Sequence, residues 1–277
     1  MTSKSLLAVL LLSFCSSISL AQNPYQVEFN EVKGVLKSTD KYKKDFGRYQ
    51  GFEIPLFEGE RANFALFASW FNAQMILVDP KGKVYKQSSE AREGVVSILT
   101  EIPISGDWIL YVVGEKDDIG NFALRYAFAS ANSYNISQNM DLCSSLNFLI
   151  AHASAHFLML PTDHLNNSGM ELIGRDGNAD VDEKDGSLII TKYSGASERE
   201  AKIQYQDLIE KISSCIGDCE ISEFKSENEN GSVQFIGTMF TYKSEKPGVK
   251  ISIELVTELN VTDANTNSYT VLIIIKN

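Results

Sequence analysis

The stretch "IPISGDWILYVVGEKDDIGNFALRYAF", Ile102 to Phe128, decides the fold of the first half of this chain. It holds two apolar runs of strand length, DWILYVVG and NFALRYAF. Asp117-Asp118-Ile119-Gly120 separates them and Ser105-Gly106-Asp107 opens the first. Aromatic and β-branched side chains suit a pleated, half-buried surface, whereas Gly, Asp and Ser favour turns. Upstream the rhythm repeats in GFEIPLF, ANFALFAS, AQMILVD and VVSILTEI, punctuated by Glu58-Gly59-Glu60 and Asp79-Pro80-Lys81-Gly82. The last of these has Pro at the second turn position and Gly at the fourth, as a type I turn prefers. Short strands at this spacing from Val27 to Ala129, with no helical period of comparable length, predict an all-β sandwich of jelly-roll-like class.

The same residues carry a family resemblance. Leu77-Val78-Asp79-Pro80-Lys81-Gly82, then Pro103 to Val112, then Gly120-Asn121-Phe122-Ala123-Leu124 resemble the bacterial pre-peptidase C-terminal domain. That family has an L-x-D-P-x-G hairpin, a P-x-S-G-x-Y-x-L-x-V strand and a closing G-x-Y-x-L strand. Trp108 and Phe122 stand here where Tyr is usual. The resemblance spans about a hundred residues and its motifs are structural. It implies a non-catalytic appendage of a secreted bacterial protein, a folding, targeting or binding module, and does not imply peptidase activity.

The first residues, MTSKSLLAVLLLSFCSSISLAQN, read as a secretory leader. Lys4 supplies the positive charge, Leu6 to Phe14 the short apolar core, and Ser19-Leu20-Ala21 the small residues before cleavage after Ala21. The core is too short to span a bilayer of about 30 Å as a helix. A lipoprotein signal through Cys15 is disfavoured by the bulk of Phe14 before it. The chain carries 25 basic and 36 acidic residues, net −11; losing Lys4 with the leader makes the balance slightly more acidic. Such a chain repels a phosphate backbone, so nucleic acid is not an expected partner. Export places the protein in the periplasm, at the cell surface or outside the cell. There disulfides persist, and Cys143, Cys215 and Cys219 remain after processing. Their spacing is no zinc pattern.

After a polar linker, Ser130 to Asn139, the pattern changes. Leu142, Leu146, Leu149, Ala153, Phe157 and Leu160 recur at helical steps over Asp141 to Leu160. The far side, with Phe148, Ala151, Ala155 and Met159, is also apolar. Such a helix is buried on both sides, against a sheet and against the sandwich or a second chain. Its histidines, asparagine and serines disfavour a membrane span. A second helix runs from Ser197 to Ile216, with Ser197 and Glu200 as a capping box. SVQFIGTMFTY, VKISIELVTEL and SYTVLIIIKN read as three closing strands, the last apolar on both faces as a central strand would be. GMELIG and SLIITKYS are expected as strands flanking an acidic hairpin tip. The expectation is an α+β domain over 140–277, two helices on an antiparallel sheet, following a sandwich over 22–129. This order of elements, without any diagnostic motif, resembles secretion-chaperone-like α+β domains. Bonding Cys143 to Cys215 or Cys219 requires antiparallel helices, since Cys143 opens the first and the others close the second.

Four constellations are candidates for chemistry. His152 and His156, four apart on the first helix, project the same way, and His164 follows within thirteen residues of His152. Imidazoles so placed can bind zinc, but the run is HASAH and lacks the glutamate of a zinc hydrolase. Asp176, Asn178, Asp180, Asp182 and Asp185 form a half-match to a calcium loop. Val181 stands where the tight turn needs Gly, and Ser187 where a bidentate Glu is needed. Trp70, Phe71 and Trp108 are candidates for a binding face in the sandwich, and Phe148 and Met159 for one on the helix. No Gly-x-Ser-x-Gly elbow and no Gly-rich phosphate loop occurs. The leading expectation is an exported, non-catalytic binding protein with a protein or carbohydrate ligand and no cofactor beyond the weakly matched calcium. The alternatives are a metal-dependent hydrolase using His152, His156 and His164, or a secretion or chaperone accessory. An oligomer through the first helix is a further expectation.

Overall fold

The computed structural model describes residues 25, 27–44, 46–89, 94–134, 140–160, 162–174, 178–182, 185–217, 219–227, 233–242, 248–259 and 267–277. The expected leader, residues 135–139 of the expected linker and Asp176 lie outside them. The first nine strands are β1 (Val27–Leu36), β2 (Lys41–Lys43), β3 (Gly47–Leu56), β4 (Arg61–Ala68), β5 (Gln74–Val78), β6 (Val84–Gln87), β7 (Gly94–Glu101), β8 (Gly106–Gly114) and β9 (Gly120–Ala129). They form two antiparallel sheets of order β1-β9-β4-β7 and β2-β3-β8-β5-β6. With the three-residue β2 set aside as an added edge, successive strands cross between the sheets, except for the β5–β6 hairpin, as two interlocked Greek keys do. This is the jelly-roll order. The sheets face each other over a core that includes Trp108, Phe64, Phe71, Leu66 and Met75. The opening stretch supplies β8 and β9, and each lies inside its sheet with a partner on both sides. The turn at Asp79–Gly82 closes with Gly82 N–H donating to Asp79 O at 2.9 Å. The Asp79 carboxylate accepts from the Lys81 and Lys83 amides.

The rest of the chain builds a third sheet. Its elements are α1 (Ala131–Tyr134), α2 (Leu142–Ala153), α3 (Thr162–Asn166), β10 (Ala179–Asp182), β11 (Ser187–Gly195), α4 (Glu198–Cys215), β12 (Cys219–Glu227), β13 (Val233–Tyr242), β14 (Lys250–Glu258) and β15 (Ser268–Lys276). All six strands pair antiparallel in the order β10-β11-β15-β14-β13-β12. Helices α2 and α4 pack on one face, burying Ile251, Ile253, Val271, Ile273 and Ile275 beneath Leu146, Leu149, Leu208 and Ile212. The chain is therefore mostly β, with antiparallel sheets and two longer helices.

Three expectations change. GMELIG is a run of turns, not a strand: Met170, Leu172 and Ile173 turn inward and are buried in the helix–sheet core. The strand that pairs with SLIITKYS comes from the acidic run itself, as β10, with Asp182 opposite Ser187. The polar run β12 adds a fourth closing strand. The first helix also stops early. At its end His156 N–H donates to Ala153 O and Phe157 N–H to His152 O, both at 3.0 Å. This is the paired closure of a Schellman motif, with His156 at φ 50° where Gly is usual. Residues 154–160 then reverse. Ala155 and Met159 pack on Ala127 and Ala129, on the outer side of the four-stranded sheet, while Phe157 and Leu160 enter the helix–sheet core. Phe148 and Met159 are both covered within the chain, so the helix offers no apolar stripe to a second copy.

Cys143, in the first turn of α2, is bonded to Cys215 at the end of α4, so the start of one helix lies beside the end of the other. Cys219 is outside this bond. The capping box at Ser197 is closed indirectly. The Ser197 hydroxyl accepts from Glu200 N–H at 3.3 Å, and Ser197 N–H donates to the Tyr193 hydroxyl, which lies 3.3 Å from the Glu200 carboxylate.

Three glycines sit directly opposite aromatic residues in register: Gly34 and Phe122, Gly51 and Tyr111, Gly237 and Phe224. Each ring lies over the backbone that the glycine leaves bare. A Cβ on Gly51 would come within 2.8 Å of the Tyr111 ring. Gly51→Ala is expected to cost about 1–3 kcal/mol in urea unfolding by overpacking. Gly217→Ala, with open space around it, should stay within about 0.5 kcal/mol of the parent. Cys143→Ser should cost about 4 kcal/mol, from the closure entropy of a loop with a sequence separation of 72. Urea unfolding with and without reductant measures it, since reductant should erase the difference.

Candidate functional site

One end of the jelly roll is held by an unusual set of polar ties. The loop between β4 and β5 is fixed to the loop between β8 and β9. Ser69 N–H donates to Asn121 O at 3.0 Å. Asn72 N–H donates to the Asp118 carboxylate at 3.2 Å, and its side-chain amide to Glu115 at 3.3 Å. Asp118 also accepts from Glu115 N–H at 2.7 Å. The Arg48 guanidinium anchors this loop through Lys116 O at 2.8 Å, and the loop after β1 through Asp40 O at 2.9 Å. Two loops that would otherwise be free are thus one braced rim.

The rim presents Trp70. Its side chain is 87% exposed and its backbone is left-handed, φ 76°. A bulky residue there costs about 1–2 kcal/mol relative to the right-handed region. Neighbouring Phe71 points the other way and is wholly buried. Ile119, on the facing loop, is also largely exposed. A shallow groove of about 460 Å³ begins beside Trp70 at Ser69 and Asn121 and runs over the outer side of the four-stranded sheet. Its floor is Val35, Phe67 and Ala123, and Lys33 stands at its far side. The Arg125 guanidinium lies over the Phe67 ring at 4.8 Å and binds Glu31 at 2.8 Å, which limits the groove toward the α+β half. Arg125 and Lys33 hold the Glu31 carboxyl below its usual range. The end of the sandwich therefore offers an exposed indole, a short apolar floor and amide, hydroxyl and ammonium groups around it.

The other sequence candidates are scattered. Trp108 is fully buried between the sheets, its indole N–H donating to Ile104 O at 3.1 Å. Burial takes Phe71, Trp108, Phe148 and Met159 out of a ligand's reach and leaves Trp70 at the surface. His152 is buried, with Nε2 2.7 Å from Ser133 O and its ring packed on Phe148. His156 does not project with it, because the helix has already ended. Its ring packs on Phe29 of β1 at 4.9 Å and supports the hairpin tip at Gly186, where a Cβ would strike it. The His164 side chain and Asp176 lie outside the described residues. Asp180 and Asp182 point outward from β10, and Asp182 accepts from Asp185 N–H at 3.1 Å to close the hairpin. Asn178 is exposed before that strand. Among the described residues no three His, Cys, Asp or Glu groups come together as a metal site, and no helix is long and apolar enough to cross a membrane. Sequence reasoning named Trp70 but missed the brace: Asp118 read only as a turn residue, and Asn72, Glu115 and Arg48 carried no signal.

No family model matches this chain, and no curated protein matches it. Solved structures similar to it include PliG of Aeromonas hydrophila, a periplasmic inhibitor of g-type lysozyme. That match has 9% identity and a TM-score of 0.28, and covers 38% of this chain and 89% of PliG. A pre-peptidase C-terminal domain of Bacillus anthracis collagenase is similar at 13% identity and TM-score 0.28, covering 35% of this chain and 87% of that domain. Bacillus licheniformis lipase BlEst2 in propeptide form matches at 14% identity and TM-score 0.27, covering 88% of this chain and 43% of the lipase. The first two likenesses extend over little more than a third of this chain.

His156 gives the contact between the halves a pH dependence. Burial, then the Arg125 charge, lower its pKa below the ordinary 6.5, against smaller opposing effects of Glu31 and the Asp185 backbone. The unfolded chain therefore takes up a proton near pH 6.5 that the folded chain resists. The stability contributed here is present above about pH 6.5 and is lost as pH falls from there through the folded pKa. In His156→Asn, which tolerates the left-handed backbone, the decline in urea midpoint between pH 7.5 and 5.5 should be shallower than in the parent. Equal slopes would show that another group controls it.

Proposed function

We propose that this chain is an exported, non-catalytic binding protein of two domains. A jelly-roll module over residues 22–129 recognises a protein or glycan ligand with its Trp70 end, and residues 140–277 form an α+β domain behind it. The observation that carries this reading is Trp70: an almost fully exposed indole, in a strained backbone, on loops braced to hold it. Backbone strain that contributes nothing to the core is retained where a site uses it. An indole face beside amide and hydroxyl groups suits the apolar face and hydroxyls of a sugar, or an aromatic anchor point on a protein. The Cys143–Cys215 disulfide supports an oxidising compartment outside the cytoplasm, in keeping with the leader that ends at Ala21.

Trp70 and Trp108 make the test optical, one indole being exposed and the other buried. Bacterial cell-wall glycan fragments and secreted bacterial proteins would be titrated while tryptophan emission and acrylamide quenching are followed. A ligand should shift emission to the blue and protect Trp70 from quenching. Trp70→Ala should weaken binding about 30-fold, the 2 kcal/mol of an interface hot spot. Trp70→Gly should lose binding too, yet gain up to about 1 kcal/mol in stability from relief of the left-handed strain. A ligand that binds Trp70→Ala as tightly as the parent places recognition elsewhere and ends this reading.

A further inference from the structure

Among the described residues, helices cover only one face of the six-stranded sheet. Directly opposed residues of an antiparallel sheet share a face, so the register defines the other face row by row. Ile189, Ile274, Ser252 and Met239 form one row. Leu272, Glu254, Gly237 and Phe224 form the next, and Thr270, Val256 and Phe235 the third. Ile253, Ile273 and Thr238, one residue along, face the helices; Tyr205 of α4 meets the Thr238 hydroxyl at 2.9 Å. A sheet with one solvated face ordinarily alternates apolar inward with polar outward. Here the rows end in polar residues, Asp180, Thr191 and Ser194 on one side and Ser222 and Ser226 on the other, while their centre is largely apolar. Val256 is buried and Ile189, Leu272, Ile274, Phe235 and Met239 are partly buried, yet none joins the described residues' core clusters.

At the centre of this face stands Glu254, between Leu272 and the Phe224 ring that lies over Gly237. Its carboxylate accepts from the Ser252 hydroxyl at 2.8 Å, and no basic side chain pairs with it among the described residues. A second copy is a poor occupant. A two-fold stacking centred on β14 would set Glu254 against its twin, on a chain of net charge −11. A surface of opposite charge removes that cost. The face measures about five strands at ~4.8 Å by nine residues at ~3.3 Å, some 700 Å², close to the ~800 Å² per partner of a standard interface.

We infer that this open sheet face docks a protein segment that is apolar and carries a central lysine or arginine, which pairs with Glu254. The probe is a random-peptide phage library panned on the intact, immobilised chain. Phe235→Lys and Glu254→Lys serve as comparison targets, after their thermal unfolding has been shown to match the parent's. Peptides enriched on the parent and lost on Phe235→Lys should be apolar around a Lys or Arg, and should bind Trp70→Ala undiminished. Panning on Glu254→Lys should replace that basic position with Asp or Glu, and should weaken the parent-selected peptides at least tenfold. Three results overturn the inference: no Phe235-dependent enrichment, selected peptides whose charge does not invert with Glu254→Lys, or a parent dimer in sedimentation that Phe235→Lys dissociates, which would make a second copy the occupant.

Discussion

Two consecutive left-handed residues, His156 and Phe157, hold the halves of this chain in their arrangement. Each costs about 1–2 kcal/mol as a non-glycine, and together they turn a helix end into a branch point. Ala155 and Met159 go to the outer side of the four-stranded sheet, while Phe157 and Leu160 go to the helix–sheet core. Had the helix run on to Leu160, the two pairs would have faced opposite sides of one cylinder; the reversal sends them to the same two places by another backbone path and takes His156 off the helix. The reversal also explains the histidines. His152 stays on the helix and meets Ser133 O, while His156 leaves it to fill the gap between Phe29 and the tip of the β10–β11 hairpin. A pair that reads in sequence as two ligands on one face becomes two packing residues with different neighbours.

Among the described residues the only other non-glycine with positive φ is Trp70. At His156 and Phe157 the strain is offset on the spot, by two backbone hydrogen bonds and by burial of Phe157. At Trp70 the hydrogen bonds belong to its neighbours, Ser69 and Asn72, and the indole itself buries almost nothing. The rim is organised around the position of Trp70 while gaining no packing from its side chain. Strain without a local return is the ground on which Trp70 is proposed as the binding residue.

Much of this was legible because the jelly roll writes itself in apolar runs. β3, β4, β5, β7, β8 and β9 each carry alternating or continuous apolar residues between Gly, Pro and Asp turns. β12 was not legible for the opposite reason. Glu220, Ser222, Glu223, Lys225, Ser226 and Glu227 are exposed on an edge strand, where pairing on one side supplies the order that burial supplies elsewhere. GMELIG misled because Met170, Leu172 and Ile173 satisfy a strand's composition, whereas the core takes them from a turn. Periodicity also cannot locate the end of α2, since the residues after Ala153 stay apolar and only their destination changes. Trp70 was visible as an aromatic, but its exposure depends on Arg48, Asn72, Glu115 and Asp118. These are distant in sequence and ordinary in type.

The two kinds of sheet in this chain differ in what they leave open. In the jelly roll each sheet closes the other's inner face, so recognition is left to loops and shallow outer grooves. The six-stranded sheet has its edges guarded instead. β10 is only four residues long with Asp180 and Asp182 outward, and β12 carries acidic and basic side chains along its length. Short and charged edge strands oppose strand-to-strand addition. A molecule that associates with this sheet is thereby directed away from its backbone edges and onto its side chains. Contact through side chains reads shape and charge, so in the proposed docking the Glu254 carboxylate, set among Leu272, Val256 and Phe224, would select the partner's charge.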